Sequence, residues 1–296
     1  MAVKESDQSL LLDPSSEFAK NRGAGIIFRS RLATIGLVLV ILVSVTALLA
    51  PMIATHDPIR MDLSQRLMPP SRDHFLGTDI FGRDLFSRII LGTRISMQVA
   101  LGAVLLAVLI GIPLGALSGY IGGWPDTIAM RLIDALLAFP GRLLAIALVA
   151  AMGPNFLTLY LAIGVNSVPG YARVVRGSVL SQKGREYVEA ARMTGESELR
   201  ILFSQILPNC MAPILILVTL DFAHAVLVES SLSFLGLGFP PPTPSWGLIL
   251  SEARGYMEVA PHVAILPGLA ISLTILGFNL LGDGLRDMFD PRQYDN

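Results

Sequence analysis

This chain of 296 residues predicts an all-α, polytopic membrane fold on three observations: 53% of its residues are hydrophobic, only 15% are charged, and its mean hydropathy is strongly positive. A soluble domain carries about 25% charged residues. Runs free of Asp, Glu, Lys and Arg recur from Leu32 to Thr55, Ile95 to Pro125, Leu143 to Ala172, Ile201 to Leu220, Ser230 to Ser251 and Val259 to Gly282. Each is long enough to form a spanning helix, which takes about 20 apolar residues.

Six spanning helices follow from these runs and from the breakers between them. The first covers about Leu32 to Ile53; it is too long and too late in the chain for a cleaved leader, so it is read as a retained span. Polar residues from His56 to Arg94 separate it from the second, about Ile95 to Tyr120. The turn Gly122-Gly123-Trp124-Pro125-Asp126 follows, with Asp126 as the expected N-cap of a third helix from about Thr127 to Ala151. Gly153-Pro154-Asn155 divides that helix from a fourth, about Phe156 to Val175. The fifth runs from about Asn209 to Gly236 and the sixth from about Val259 to Leu281. Gly111, Gly115 and Gly119 recur every fourth residue of the second helix, a small-residue seam suited to close helix packing. Pro113 and Pro169 are expected to bend the helices that hold them.

Orientation follows from the basic residues. With the N-terminus inside, fourteen Lys and Arg fall on the inner side and seven on the outer, so both termini are expected in the cytoplasm. The charged stretch between the fourth and fifth helices then faces the cytoplasm too.

Composition and motifs exclude several classes. The net charge of -1 gives no sign of nucleic-acid binding. Cys210 is the only cysteine, so neither an intrachain disulfide nor a cysteine-based zinc site can form. The three lysines precede Glu5, Asn21 and Gly184, which leaves no phosphate-binding Gly-Lys-Ser/Thr. His56, His74, His224 and His262 lie far apart in sequence without a His-Glu-x-x-His helix, and no Gly-x-Ser-x-Gly elbow occurs. No catalytic, cofactor or metal site is expected.

The most informative stretch is the soluble interruption Arg185-Glu186-Tyr187-Val188-Glu189-Ala190-Ala191-Arg192-Met193-Thr194-Gly195, continuing to Leu207-Pro208. As a helix it groups Tyr187, Ala190 and Ala191 on a small-residue face, and Gly195 permits a turn. A second piece, Glu198 to Ile206, is expected to place Leu199, Leu202, Phe203 and Ile206 together. Two short helices joined at a glycine make a plug suited to a groove on a soluble partner.

That stretch resembles the "EAA" loop of bacterial ABC-importer permeases. Three further blocks resemble the dipeptide/oligopeptide branch of that family, of the second-permease type. They are His74-Phe-Leu-Gly-Thr-Asp79 with Gly82-Arg83-Asp84 and Ser87-Arg88; Ser233-Phe-Leu-Gly236-Leu-Gly238 with Pro241-Pro242-Thr-Pro244-Ser-Trp246-Gly247; and Asn279-Leu-Leu-Gly282-Asp-Gly-Leu-Arg286-Asp287 with Asp290-Pro291-Arg292. They stand in the family's order and, with the loop, cover most of the chain from Leu32 onward. One departure is Gln205, where the general pattern favours isoleucine.

The resemblance implies an ABC type I importer permease fold and four regions: a cytoplasmic leader, 1–31; a first transmembrane helix with its periplasmic segment, 32–92; a permease domain, 93–282, with a coupling loop, 176–208; and a cytoplasmic tail, 283–296. It implies that Glu186, Tyr187, Glu189, Ala190, Ala191, Arg192, Gly195, Leu207 and Pro208 couple to an ATPase. It also implies a bacterial inner-membrane machine with a homologous second permease, two ATP-binding subunits that hold ATP and Mg2+, and an extracytoplasmic solute-binding protein. The cargo would be di- or oligopeptides, with glutathione, nickel or an opine as alternatives. A stand-alone secondary transporter or a non-transporting scaffold are the competing classes.

Ionisable residues inside a bilayer usually face the bundle interior or a wet cavity. Asp134, Arg142, Asp221, His224 and Glu229 are the candidates for a solute pathway or for helix pairing, with Asp134 expected to pair with Arg131. The outer segments Pro240 to Trp246 and Gly77 to Arg88 are expected to form a docking surface or outer gate.

Overall fold

The computed structural model describes residues 31–289. The leader before Arg31 and the Asp290-Pro291-Arg292 motif lie outside the described residues.

Nine helices of eight or more residues carry the described fold: α1 Arg31–Ile53, α2 Leu85–Ile121, α3 Gly123–Leu137, α4 Gly141–Met152, α5 Phe156–Lys183, α6 Glu186–Met193, α7 Met211–Phe234, α8 Trp246–Ala253 and α9 His262–Phe289. The described residues contain no β-strand. Four helices (α1, α2, α7 and α9) are long and apolar enough to cross a membrane, and α3 with α4 would make a fifth span if the bent pair is counted as one. The remaining helix of the expected six is α5, whose Tyr160, Asn166, Ser167 and Tyr171 are followed by Arg173, Arg176 and Lys183. It is long enough to span but less apolar than the others.

The main departure from expectation is the third helix. It is two helices, α3 and α4, whose axes meet at 82°. Pro140 explains the break: it lacks an N–H and disfavours helical backbone in the residue before it. The second helix also differs, starting at Leu85 rather than Ile95, with the Asp84 carboxylate accepting a hydrogen bond from Ser87 N at 2.8 Å. Charged residues at its start looked like loop, but Arg88 is buried there against partners distant in sequence. Asp126 is not a cap; it lies in the first turn of α3, which begins at Gly123. Pro113 and Pro169 both sit within uninterrupted helices.

The glycine seam of α2 faces α5. A Cβ on Gly111 would stand 2.6 Å from that of Tyr171, and one on Gly119 would stand 2.9 Å from the Arg176 carbonyl oxygen. The helices therefore touch backbone to backbone, where only the absence of a side chain leaves room. A similar approach joins α1 to α9, where a Cβ on Gly277 would lie 2.9 Å from that of Leu39.

A large apolar core joins α2, α4, α5, α7, α8 and α9 through residues such as Val99, Ala103, Leu159, Phe222 and Ile249. Phe222 and Phe278 stack within it, ring centroids 4.2 Å apart. A second core at one end of the bundle joins Tyr120, Val175, Val179, Val188, Ile201, Leu202 and Ile206. That second core seats the interhelical loop.

Candidate functional site

The loop hangs from the end of α5. After Lys183, α6 holds Glu186 and Glu189 in its first turn and Arg192 in its last, which matches the helix dipole at both ends. Val188 is its buried residue, and the Tyr187 hydroxyl donates to Gln182 Oε1 at 3.1 Å. Burial pushes the Tyr187 phenol above its usual range. Gly195 turns the chain with φ +81°, a conformation that a Cβ would strain.

The second piece differs from the expected amphipathic helix. Ile201–Ile206 is wound as a π-helix, with the Leu207 N–H bonded to the Leu202 carbonyl, between short α-helical pieces Glu198–Arg200 and Leu207–Asn209. In a π-helix the i and i+5 residues bond, so the inward set changes. Ile201, Leu202 and Ile206 are buried, whereas Leu199 and Phe203 point outward. Pro208 supplies a cause: its ring cannot fit over the preceding turn of an ideal α-helix, and the wider turn relieves the clash. Gln205 is half-buried, and its carbonyl accepts from Asn209 Nδ2 at 2.7 Å.

Tyr120, the penultimate residue of α2, binds both halves of the loop. Its hydroxyl donates to the Glu198 carboxylate and accepts from Arg192 Nη2 at 3.4 Å. Arg192 Nε also lies 3.4 Å from Glu198 Oε1, and the Lys183 ammonium donates to the Tyr120 backbone carbonyl. The phenol hydrogen bond, aided by Arg192, holds the Glu198 carboxyl below the usual glutamate range. Nearby, Arg176 grips Asp126 with two hydrogen bonds of 2.6 Å, and Ser118 also donates to that carboxylate. These contacts join α2, α3 and α5 beside the loop. Tyr120 was missed in sequence, since a tyrosine at the end of an apolar run carries no motif.

What the loop leaves outside is equally defined. Glu189, Ala190, Arg192, Gly195 and Pro208 are exposed, while Tyr187, Ala191 and Leu207 are half-buried. Met193 is 92% exposed and, with Leu199 and Phe203, adds apolar side chains beside the Glu-Ala-Ala turn.

The intramembrane candidates do not form one site. Asp221 and His224 meet on α7: Ser167 of α5 donates to Asp221 Oδ1 at 2.7 Å, and His224 Nδ1 lies 4.0 Å from the same oxygen. Glu229 is buried separately, with Ser233 donating at 2.7 Å. Asp134 pairs with Arg173 of α5 at 2.6 Å, not with Arg131, because α5 presents its basic end there. Arg142 is exposed at the start of α4.

The opposite end of the bundle holds a buried ion cluster. Asp79 Oδ2 lies 2.5 Å from Arg83 Nε and 3.3 Å from Arg88 Nε, and Glu252 Oε2 accepts from Arg83 at 2.6 Å and Arg88 at 2.7 Å. Glu252 belongs to α8, so the cluster ties the segment before α2 to the one before α9. Trp246, at the end of the expected outer docking segment, is withdrawn from solvent: it is 1% exposed, and its indole donates to the Ile89 carbonyl at 3.2 Å. Only the tip Pro240, Pro241 and Pro242 of that segment is exposed. Although far apart in sequence, His56 and His74 come together with ring centroids 4.8 Å apart.

Residues 111–294 match the family described as the binding-protein-dependent transport system inner membrane component, and residues 26–70 match the N-terminal transmembrane domain of oligopeptide transport permease C. A dipeptide transport system permease protein from Haemophilus influenzae is 43% identical over 281 residues, covering 93% of this chain and 92% of the relative. A similar dipeptide permease from Alkalihalophilus pseudofirmus is 43% identical over 89% of this chain and 87% of its own length. A glutathione transport system permease protein from Pectobacterium atrosepticum is 51% identical over 75% of this chain and 74% of its own. Among solved structures, an inward-facing form of the MetNI methionine ABC transporter has a chain of the same fold. It superposes with TM-score 0.57 and 16% identity, covering 70% of this chain and 98% of the other.

Proposed function

We propose, for a chain that belongs to the family of binding-protein-dependent transport system inner membrane components, that it is the second permease subunit of an ATP-driven importer of di- or oligopeptides. As a member of that family it is a multi-pass inner-membrane protein. In this reading both termini and the Glu186 to Pro208 loop face the cytoplasm. A homologous permease completes the pathway, two ATP-binding subunits hold ATP and Mg2+, and an extracytoplasmic binding protein delivers the solute. The chain itself catalyses nothing.

The observation that carries the reading is the loop's uncovered face of Glu189, Ala190, Met193, Leu199 and Phe203, held in place from behind by Tyr120. An apolar patch rimmed by charge suits a partner's groove. Motion of that partner is delivered to α2 through Tyr120 and to α5 through the chain itself. Alternating access then follows as the ATPases close and reopen.

Two cargoes have specific support, dipeptides from the relatives that span most of the chain and glutathione from the relative at 51% identity. Both are peptides. The test is uptake by the complete transporter in proteoliposomes, with its binding protein outside and ATP inside. Uptake of a dipeptide or glutathione that stops without the ATPase subunits supports an importer. Uptake that persists without them would make this a stand-alone transporter and sink the proposal.

A further inference from the structure

We propose that His56, His74 and Asp84 form a binding site for a divalent transition metal of the zinc class, one that clips the end of α1 to the start of α2. The three residues come from separate stretches: His56 just past the end of α1, His74 in the intervening loop, and Asp84 at the cap of α2. One donor atom from each lies within 4.8 Å of the others. His74 Nδ1 is 2.9 Å from Asp84 Oδ1, and His56 Nδ1 is 3.9 Å from that oxygen. A tetrahedral zinc ion with bonds of about 2.0–2.1 Å holds its ligand atoms about 3.3 Å apart, between those two distances. Small rotations of the imidazoles would close the site.

The neighbours already orient the donors. Asp84 Oδ2 accepts from Ser87 N at 2.8 Å, which leaves Oδ1 turned toward the imidazoles. On the far side of the His74 ring, Nε2 lies 2.6 Å from Gln65 Oε1. An N–H donated to that oxygen puts the ring's lone pair on Nδ1, the atom that faces Asp84. Metal-bound histidines are commonly fixed in this way by an acceptor on the outer nitrogen. With that tautomer, a lone pair and a carboxylate oxygen face each other at 2.9 Å, and a cation between them resolves the repulsion. The competing arrangement needs no metal: a turned Gln65 amide donates to Nε2 and His74 Nδ1–H donates to Asp84.

Access and charge favour an ion. His56, His74 and Asp84 line a cavity of about 760 Å³, and Asp57, Asp62 and Asp73 line it as well, with Arg60 the one opposing charge among the charged residues there. The Ser64 hydroxyl and backbone N–H both donate to the Asp62 carboxylate, at 2.6 and 3.1 Å, and fix it at the cavity wall. His56 is the adjustable member: it is 43% exposed, and its Nδ1 lies 3.0 Å from the Thr55 hydroxyl, a contact it would exchange for the metal. Two imidazoles and one carboxylate select zinc, cobalt, nickel or copper over calcium and magnesium, which prefer all-oxygen ligands.

The test uses the complete transporter complex, stripped with chelator and titrated with Co(II). One cobalt per copy of this chain is expected, with the visible absorption of a low-coordinate ion. Binding should weaken at least tenfold in His56→Asn and in His74→Asn. Cobalt X-ray absorption on the wild-type complex gives a measurement that needs no variant, and two imidazoles should appear around the ion. Absence of stoichiometric cobalt from the wild type, a scattering pattern without histidine, or unchanged affinity in both well-folded variants would each overturn the site and favour the proton-only arrangement.

Discussion

The two ends of the helix bundle hold their charges in opposite ways. At the end that carries Asp79, Arg83, Arg88 and Glu252, two guanidinium groups and their carboxylates are withdrawn from solvent and cross-linked across distant parts of the chain. At the loop end one pair, Arg176 with Asp126, is partly withdrawn, whereas Arg192 with Glu198 and Arg173 with Asp134 form pairs that are largely open to solvent. Buried ions are expensive to separate from their partners, whereas exposed pairs contribute little and exchange readily. The first end is thus built to keep one geometry. The second can trade its contacts for those of a partner.

Breaking the buried cluster should have the largest effect. Arg88→Ala leaves Asp79 and Glu252 short of a counter-charge and should destabilise the protein by about 3–5 kcal/mol, the scale for orphaning one member of a buried pair. A marked drop in melting temperature of the purified complex, or loss of protein from the membrane, would record it. A wild-type melting curve would mean that the cluster is hydrated and resembles the loop end.

Next come changes on the loop's outward face. Glu189→Arg and Gly195→Val should each reduce recovery of the ATPase subunits at least tenfold while leaving the chain in the membrane. A Cβ at Gly195 meets no atom within 4 Å, so only its backbone strain and the partner should register it. Normal co-purification with both variants would remove this face from the docking surface.

Tyr120→Phe should act more mildly, costing about 1 kcal/mol for the lost hydroxyl contacts. Its sharper readout is coupling, with ATP hydrolysis continuing while transport per ATP falls. The Glu198 contact also has a pH signature. Because its folded pKa is depressed, its contribution is complete above the ordinary glutamate pKa and is lost only as pH falls through the lowered value. ATPase retention should therefore be steady from neutral pH to about pH 5, near the unperturbed glutamate value, and weaken below it. The Phe variant should lose that acid limb. The smallest effect is expected from Arg173→Ala, under about 1 kcal/mol for an exposed pair. A large thermal shift there would show that the loop end is less yielding than its exposure implies.

Much of the bundle could be read from the sequence because charge-free runs and Gly-Pro-Asn punctuation act locally. Leu32 and Phe156 lie at or beside the true starts of α1 and α5 for that reason. Arg88 misled because its burial depends on Asp79 and Glu252, and no local pattern reports a partner on α8. The elbow at Pro140 was locally visible but was overridden by the apolar residues on either side. In the loop, the order of Glu189, Ala190, Ala191 and Gly195 led to the candidate face, but the inward set failed at Leu199 and Phe203. Helical periodicity assumes 3.6 residues per turn, and the π-helix at Ile201–Ile206 changes the count. Asp221 and Ser167, like His56 and His74, meet only through the tertiary fold.

The unbroken length of α5 has a mechanical consequence. Sixteen residues separate Ser167, which touches Asp221, from Lys183 at the loop, about 24 Å of rigid rod at 1.5 Å per residue. Pivoted near Ser167, a tilt of about 10° would carry Lys183 through about 4 Å by the same geometry. The glycine seam leaves no slack between α5 and α2, so the two would swing as one beam. The loop is then the long arm of a lever whose short arm ends among the polar side chains of the bundle's interior.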